Sequence, residues 1–472
     1  MRKFLIAGSI AASSLILAGC QQSPSQNAAV PSESGSWSEA NVKDLKKAID
    51  RRAAHGLDHQ SYAFDAKDSA TITKAALRYA SALSQGAADP AKLYKVYSLP
   101  RPKVDLRAAL SKAMADGNIA DWFESLAPNT DNYRSLSKAY LALSQNEGNR
   151  PAAIPAVSKP IRPGMTDGRI PAIARALVAS DYLDKTQAGS DRYSDAMVKA
   201  VKRMQGDFGI DPDGEIGAQA LEILNLSDMD KAKALAVAME RERWLEPSPP
   251  ATRIDVNLAT ARLTYWRDGK VADVRKVVVG EPDTETPQLG SPIYRLVANP
   301  TWTVPRSIER KELAAKGAAY LRQNNMTRKD GWIVQQPGPK NSLGLVKFDM
   351  KNDHQIYLHD TPAKQLFAEV QRQRSHGCVR VEDALGFAEM LAKDAGIADQ
   401  WNKARATGKE SFVPLPHEIP VRLFYQTILF DDEGQPVYRA DPYGWNDPVS
   451  VALGFKAGSG ARLRPSGVDV GP

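Results

Sequence analysis

Ser375-His376-Gly377-Cys378-Val379-Arg380 is the stretch around which this chain is organised. It holds one of two cysteines in 472 residues. His376 lies two positions before Cys378, and His359 lies nineteen before it, in Ile356-Tyr357-Leu358-His359-Asp360-Thr361-Pro362. A thiolate is the strongest nucleophile among ordinary side chains, but near neutral pH it needs a base or a positive neighbour. Three chemistries compete for these residues. A metal site has four potential ligands in His354, His359, His376 and Cys378, yet His354 and His359 are five apart on a predicted strand and point to opposite faces. An inert core cysteine does not account for Gly377 beside the thiol or Arg380 after it. Nucleophilic catalysis, with His359 as base and Cys378 as nucleophile, accounts for both.

The whole chain narrows the class. Its length suggests about three domains at roughly 150 residues each. With 43% hydrophobic and 25% charged residues it can bury ordinary cores. The net charge of +7 and pI near 9.1 favour anionic partners mildly. The basic residues are dispersed, with no aromatic-interleaved basic block, which argues against nucleic-acid binding.

The N-terminus reads as a targeting segment. Arg2-Lys3 precede an apolar run from Phe4 to Leu17, shorter than the ~20 residues a spanning helix needs. Leu17-Ala18-Gly19-Cys20 resembles the bacterial lipobox, which implies cleavage before Cys20 and its lipidation. Gln21-Gln22 lacks the aspartate that such resemblance associates with inner-membrane retention, so a periplasmic protein anchored to the outer membrane is expected. With Cys20 lipidated, Cys378 is a lone thiol that can form no internal disulfide. In an oxidising compartment such a thiol is a hazard unless it is used.

The expected architecture is multidomain α+β. Residues 1–20 are the signal and 21–37, rich in Ser, Gln, Pro and Ala, a flexible tether. Residues 38–164 form a helical scaffold, with apolar stripes through Val42 to Ile49, Ala70 to Leu83, Leu106 to Ala115 and Tyr133 to Leu143. His55 and His59 are read as a helix end, since Gly56 lies between them. Residues 165–228 carry three short helices and the turn Asp211-Pro212-Asp213-Gly214-Glu215-Ile216-Gly217. That order, with Phe208-Gly209, resembles a peptidoglycan-binding domain; a calcium loop lacks the full ligand pattern. Residues 229–250 give one more helix, which by analogy with large relatives of such proteins is expected to return to the scaffold, making the three-helix unit an insertion. From 251 to 447 the period changes to two, and a mainly β domain is expected, with a helical lid at about 306–336. A hairpin turning at Lys351-Asn352-Asp353 delivers His359. Residues 448–472 are expected to be a disordered tail.

His359 with Ser375-His376-Gly377-Cys378-Val379-Arg380 matches the signature of the L,D-transpeptidases, cysteine enzymes of bacterial cell-wall crosslinking. Asn299-Pro300-Thr301-Trp302-Thr303-Val304-Pro305 and Gly338-Pro339-Lys340-Asn341 are like those of the large, multidomain members. The resemblance implies that the Cys378 thiolate attacks the diaminopimelate–D-alanine bond of a tetrapeptide stem and releases D-alanine. The acyl group then passes to a diaminopimelate amine, giving a 3-3 crosslink. It implies backbone N–H groups of Gly377, Cys378 or His376 as oxyanion donors, Ser375 as a bond within its own loop, and Arg380 as an anchor of either that loop or a substrate carboxylate. Tyr357 and Trp302 are candidate pocket residues, and the imidazole is oriented by the Asp360 carbonyl or its carboxylate. No metal or organic cofactor is implied. Expected partners are peptidoglycan stems as donor and acceptor, the membrane through the lipid, and other cell-wall synthesis proteins; carbapenem acylation of Cys378 is a further expectation. A hydrolase with water as acceptor, a protein-anchoring enzyme, and a non-catalytic wall-binding lipoprotein are the alternatives.

Overall fold

The computed structural model describes residues 37–145 and 152–457. The lipobox with Cys20, the tether up to residue 36 and the tail from residue 458 lie outside the described residues. N-terminal helices open where the sequence offers a polar cap. Ser38 accepts from the Asn41 N–H ahead of Glu39–Asp50, Asp68 from Ala70 ahead of Ser69–Gln85, and Thr130 from Tyr133 ahead of Asp131–Ser144. Their apolar stripes, including Leu45, Ile72, Tyr79, Leu136 and Tyr140, enclose one core.

The helix Asp228–Trp244 completes that core, and from Leu235 to Arg241 every one of its residues is buried. Such burial places the Arg243 and Glu240 charges inside the protein, where each must be met. Arg243 Nη2 lies 2.6 Å from Glu240 Oε2, and Nη1 donates to the Tyr133 hydroxyl and the His55 carbonyl at 2.8 Å each. The Ala88 N–H closes the set on Glu240 Oε1 at 2.7 Å. Between Asp131–Ser144 and Asp228–Trp244 comes the three-helix unit Ile170–Ala179, Asp195–Phe208 and Ala218–Leu224, which has its own core around Ile173, Tyr193, Val201 and Ile216. It is an insertion into the helical body.

Strands are β1 (Tyr97–Ser98), β2 (Arg253–Asn257), β3 (Arg262–Arg267), β4 (Lys270–Gly280), β5 (Gln288–Gly290), β6 (Ile293–Ala298), β7 (Trp302–Thr303), β8 (Met326–Lys329) and β9 (Trp332–Gln335). They continue as β10 (Val346–Met350), β11 (Leu358–His359), β12 (Gln373–Ser375), β13 (Val379–Val381), β14 (Ser411–Ile419), β15 (Val421–Phe424), β16 (Ile428–Phe430) and β17 (Pro436–Tyr438). One large sheet runs β1-β5-β15-β2-β3-β4-β13-β11-β10-β6-β14, with β12 attached to β4. Helices Ala384–Asp394 and Ala398–Ala406 supply Phe387, Leu391 and Trp401 to its core, against Val279, Phe348, Leu358 and Val379. The α+β expectation, helical first and mainly β afterwards, holds.

Four local expectations are corrected. The segment to Gln145 is not wholly helical, because β1 leaves the helical body and pairs in parallel with β5. The β10–β11 turn is wider than Lys351-Asn352-Asp353, since pairing resumes only at Leu358. Asn352 causes this: its Oδ1 accepts the His354 and Ile356 N–H groups at 3.1 Å, and its Nδ2 donates to the Ile356 carbonyl at 2.8 Å. The lid is only partly helical, as β7, β9 and β8 form a small sheet beside Arg306–Leu313 and Ala318–Gln323. Finally, neither the domain end at 447 nor a disordered tail from 448 holds. Ile428 from β16, then Val449, Leu453 and Phe455 from the helix Asn446–Ala452 and its end, pack into the helical core.

Candidate active site

The motif loop links β12 to β13, and an adjacent loop clamps it. The Thr286 hydroxyl donates to the Gly377 carbonyl at 2.8 Å, the Thr284 hydroxyl to the Ser375 carbonyl at 3.0 Å, and the Glu281 N–H to the same oxygen at 2.8 Å. Gly280 makes that clamp possible, because a Cβ there would stand 2.1 Å from the Thr284 carbonyl oxygen. Ser375 Oγ donates to the Cys378 carbonyl at 2.6 Å, so Ser375 bonds its own loop as expected. Gly377 sits at φ +119°, which a side chain would strain.

Cys378 is half-buried and faces a cavity of about 700 Å³ between sheet and lid, which it shares with Trp302, Tyr357, His359 and His376. Burial pushes the thiol pKa up; a backbone and a side-chain hydrogen bond from Tyr357, then the charges of Lys347 and Arg380, push it back. Tyr357 precedes β11, its carbonyl accepts the Val379 N–H at 3.1 Å, and its ring meets that of His359 edge-on, with centroids 5.6 Å apart in the same cavity. The Lys347 ammonium lies 4.3 Å from the centre of the Tyr357 ring.

His359 is 1% exposed and donates from Nδ1 to the Asp360 carbonyl at 2.5 Å. A carbonyl can only accept, so Nε2 keeps the lone pair. Burial first, and then the Arg380 charge, lower the His359 pKa to about 3. The imidazole is therefore neutral, with Nε2 as its free acceptor. The Asp360 carboxylate has other work: it accepts the Leu345 N–H at 2.9 Å and pairs with Lys364. Of the two orienting groups left open by the sequence, the carbonyl is the one in contact.

Two site expectations change. Arg380 is 1% exposed on β13, opposite His359, and does not line the cavity, which leaves the loop anchor and removes the substrate-carboxylate role. The Gly377 N–H donates to Ser375 Oγ at 3.2 Å and is not directed to substrate. The His376 ring turns to the lid, where its Nε2 lies 2.7 Å from Glu312 Oε1. Trp302 is 4% exposed, part of the lid core, and still lines the cavity. Thr284, Thr286, Lys347 and Glu312 were not anticipated. They sit in a loop, on the sheet or on the lid, where no local pattern marks them.

Residues 251–412 match the family model described as the L,D-transpeptidase catalytic domain. Residues 166–224 match "Putative peptidoglycan binding domain", and 32–139 match a scaffold domain. The chain thus carries an L,D-transpeptidase catalytic domain behind a helical scaffold and a peptidoglycan-binding unit. It is 31% identical over 223 residues to a Haemophilus influenzae protein named "Putative L,D-transpeptidase", an alignment covering 42% of this chain and 45% of that one. The match therefore spans less than half the length of that relative. Among solved structures, an L,D-transpeptidase of Xylanimonas cellulosilytica is 16% identical, covering 57% of this chain and 100% of its own at TM-score 0.20. One from Stackebrandtia nassauensis is 14% identical, covering 57% and 98% at TM-score 0.24.

Proposed function

We propose that this chain is a peptidoglycan L,D-transpeptidase that forms 3-3 crosslinks. The observation that carries the reading is the meeting, in one cavity, of Cys378, Tyr357 and a neutral His359 held by the Asp360 carbonyl. His359 Nε2 takes the thiol proton, and the sulfur attacks the carbonyl at the L-centre of diaminopimelate. The oxyanion is met by the Tyr357 hydroxyl and the Cys378 backbone N–H. Collapse breaks the bond to D-alanine, whose nitrogen receives the proton from His359, and leaves a thioester on Cys378. The side-chain amine of a neighbouring diaminopimelate then attacks, losing its proton to His359, which returns it to the departing sulfur. The three-helix unit keeps the enzyme on the wall, and a lipidated Cys20 ties it to the outer membrane on the periplasmic side.

The test uses protein lacking residues 1–20, incubated with tetrapeptide muropeptides beside Cys378→Ala and read by mass spectrometry. D-alanine release with dimers joined through two diaminopimelates, absent in the variant, is the expected result. Release with only shortened monomers would identify a hydrolase, and release with neither product dependent on Cys378 would overturn the mechanism.

A further inference from the structure

The lid brings to the cavity a charge that no carboxylate among the described residues answers. Three long cations line the cavity: Arg295, Lys311 and Lys347. Two of them converge on one carboxylate, with Arg295 Nε 2.5 Å and Lys347 Nζ 2.7 Å from Asp349 oxygens. The other lining carboxylate, Glu410, accepts the Thr301 N–H at 2.8 Å and its hydroxyl at 2.9 Å. Acids of the lid are engaged as well. Glu309 pairs with Arg306 at 2.6 Å and Arg328 at 3.2 Å, and Glu312 lies 2.7 Å from His376 Nε2. Lys311 has no carboxylate partner among the described residues, and three cations face two carboxylates across the cavity.

Position as well as charge is set. Lys311 belongs to the π-helical turn Glu309–Leu313, and its neighbour Glu312 fastens that turn to His376, two residues from the thiol. Lys311 is exposed and lines the same cavity as Cys378.

The geometry points to Lys311 as the specificity residue for a substrate carboxylate: the free C-terminal carboxylate of the D-residue that leaves. This rests on the transpeptidase reading above. In a stem that ends one residue past the attacked carbonyl, that carboxylate belongs to the leaving residue itself. One more residue moves it by up to about 3.5 Å, away from the leaving residue beside the cleaved bond.

The test compares D-alanine release from a tetrapeptide stem, from its C-terminal carboxamide, and from a stem amidated on the diaminopimelate side chain, with wild type, Lys311→Met and Lys311→Arg. Wild type is expected to show a KM about tenfold lower for the free acid than for the C-terminal amide, the scale of one charge-assisted hydrogen bond. Lys311→Met is expected to lose that preference and Lys311→Arg to restore it. Equal preference in wild type and Lys311→Met would overturn the assignment while leaving the transpeptidase standing. So would loss, in Lys311→Met, of discrimination against the side-chain amide only. Wild type inactive on all three stems would instead overturn the proposed function, and this assignment with it.

Discussion

His359 and Arg380 are register partners on the parallel strands β11 and β13. One buried cation therefore acts on both reacting groups, lowering the pKa of the imidazole and of the thiol together. It makes His359 resist protonation and makes the Cys378 thiolate easier to form. Removing the cation by Arg380→Met reverses both signs. The pH midpoint for alkylation of Cys378 by iodoacetamide is expected to rise. Arg380→Lys, which keeps the charge, is expected to recover part of it. An unmoved midpoint in a folded Arg380→Met protein would remove Arg380 from the electrostatics of the site.

Tyr357 supplies the thiol with a backbone and a side-chain hydrogen bond, and Phe deletes only the second. The alkylation midpoint of Tyr357→Phe should again move to higher pH, because a donor to the thiolate is lost. If the hydroxyl also serves the oxyanion, kcat for D-alanine release falls about a hundredfold with little change in KM. A fall in KM-dependent binding alone would confine Tyr357 to holding substrate.

Gly344 stands at φ +61°, and a Cβ there would lie 2.3 Å from Asp360 Oδ2. Gly344→Ala thus strains its own backbone and displaces the residue whose carbonyl orients His359. Destabilisation of about 1–3 kcal/mol is expected from thermal melts. Activity measured well below the melting temperature should fall further than stability explains. Retained activity at full occupancy of the fold would show that the imidazole does not depend on this contact.

His55 is buried in the helical core, with Nδ1 3.2 Å from the Tyr133 hydroxyl, and burial followed by the Arg243 charge lowers its pKa to about 4. In the unfolded chain it titrates near 6.5, so between these values the unfolded state binds the proton that the folded state refuses. Stability is thus unaffected above about pH 6.5 and declines as pH falls toward 4. The decline is roughly 3 kcal/mol at ~1.36 kcal/mol per unit. Urea midpoints at pH 7.0 and 4.5 should separate widely for wild type and less for His55→Gln. Equal separations would show that other groups set the acid response.

Cys378, His359 and the interruption at 306–336 were legible as candidates because each left a local mark: a lone thiol beside glycine, a histidine on an apolar strand, a helical interruption among strands. The helical insertion was expected only by analogy with large relatives, since helical stripes do not say which helices share a core. What stayed hidden depends on long-range pairing. Thr284 and Thr286 look like any turn residues until the fold sets them against Ser375 and Gly377. Arg380 could not be separated from a substrate contact, since only β13 lying inside the sheet buries it. The C-terminal helix was obscured because Val449, Leu453 and Phe455 stand next to Gly- and Ser-rich sequence, and composition outweighed their spacing.

β15 has a further consequence for anyone cutting this molecule. It fills the gap between β5 and β2, yet it comes from residues 421–424, past the matched catalytic region that ends at 412. A fragment trimmed to that region loses β1, β15 and all but the first two residues of β14, and so bares ladder edges on β2, β5 and β6, a template for sticking to its own copies. Leaving β15 in place is not enough, since the next residues run straight into the helical core and β1 returns from it. The smallest piece that keeps every strand of the sheet takes in both bodies.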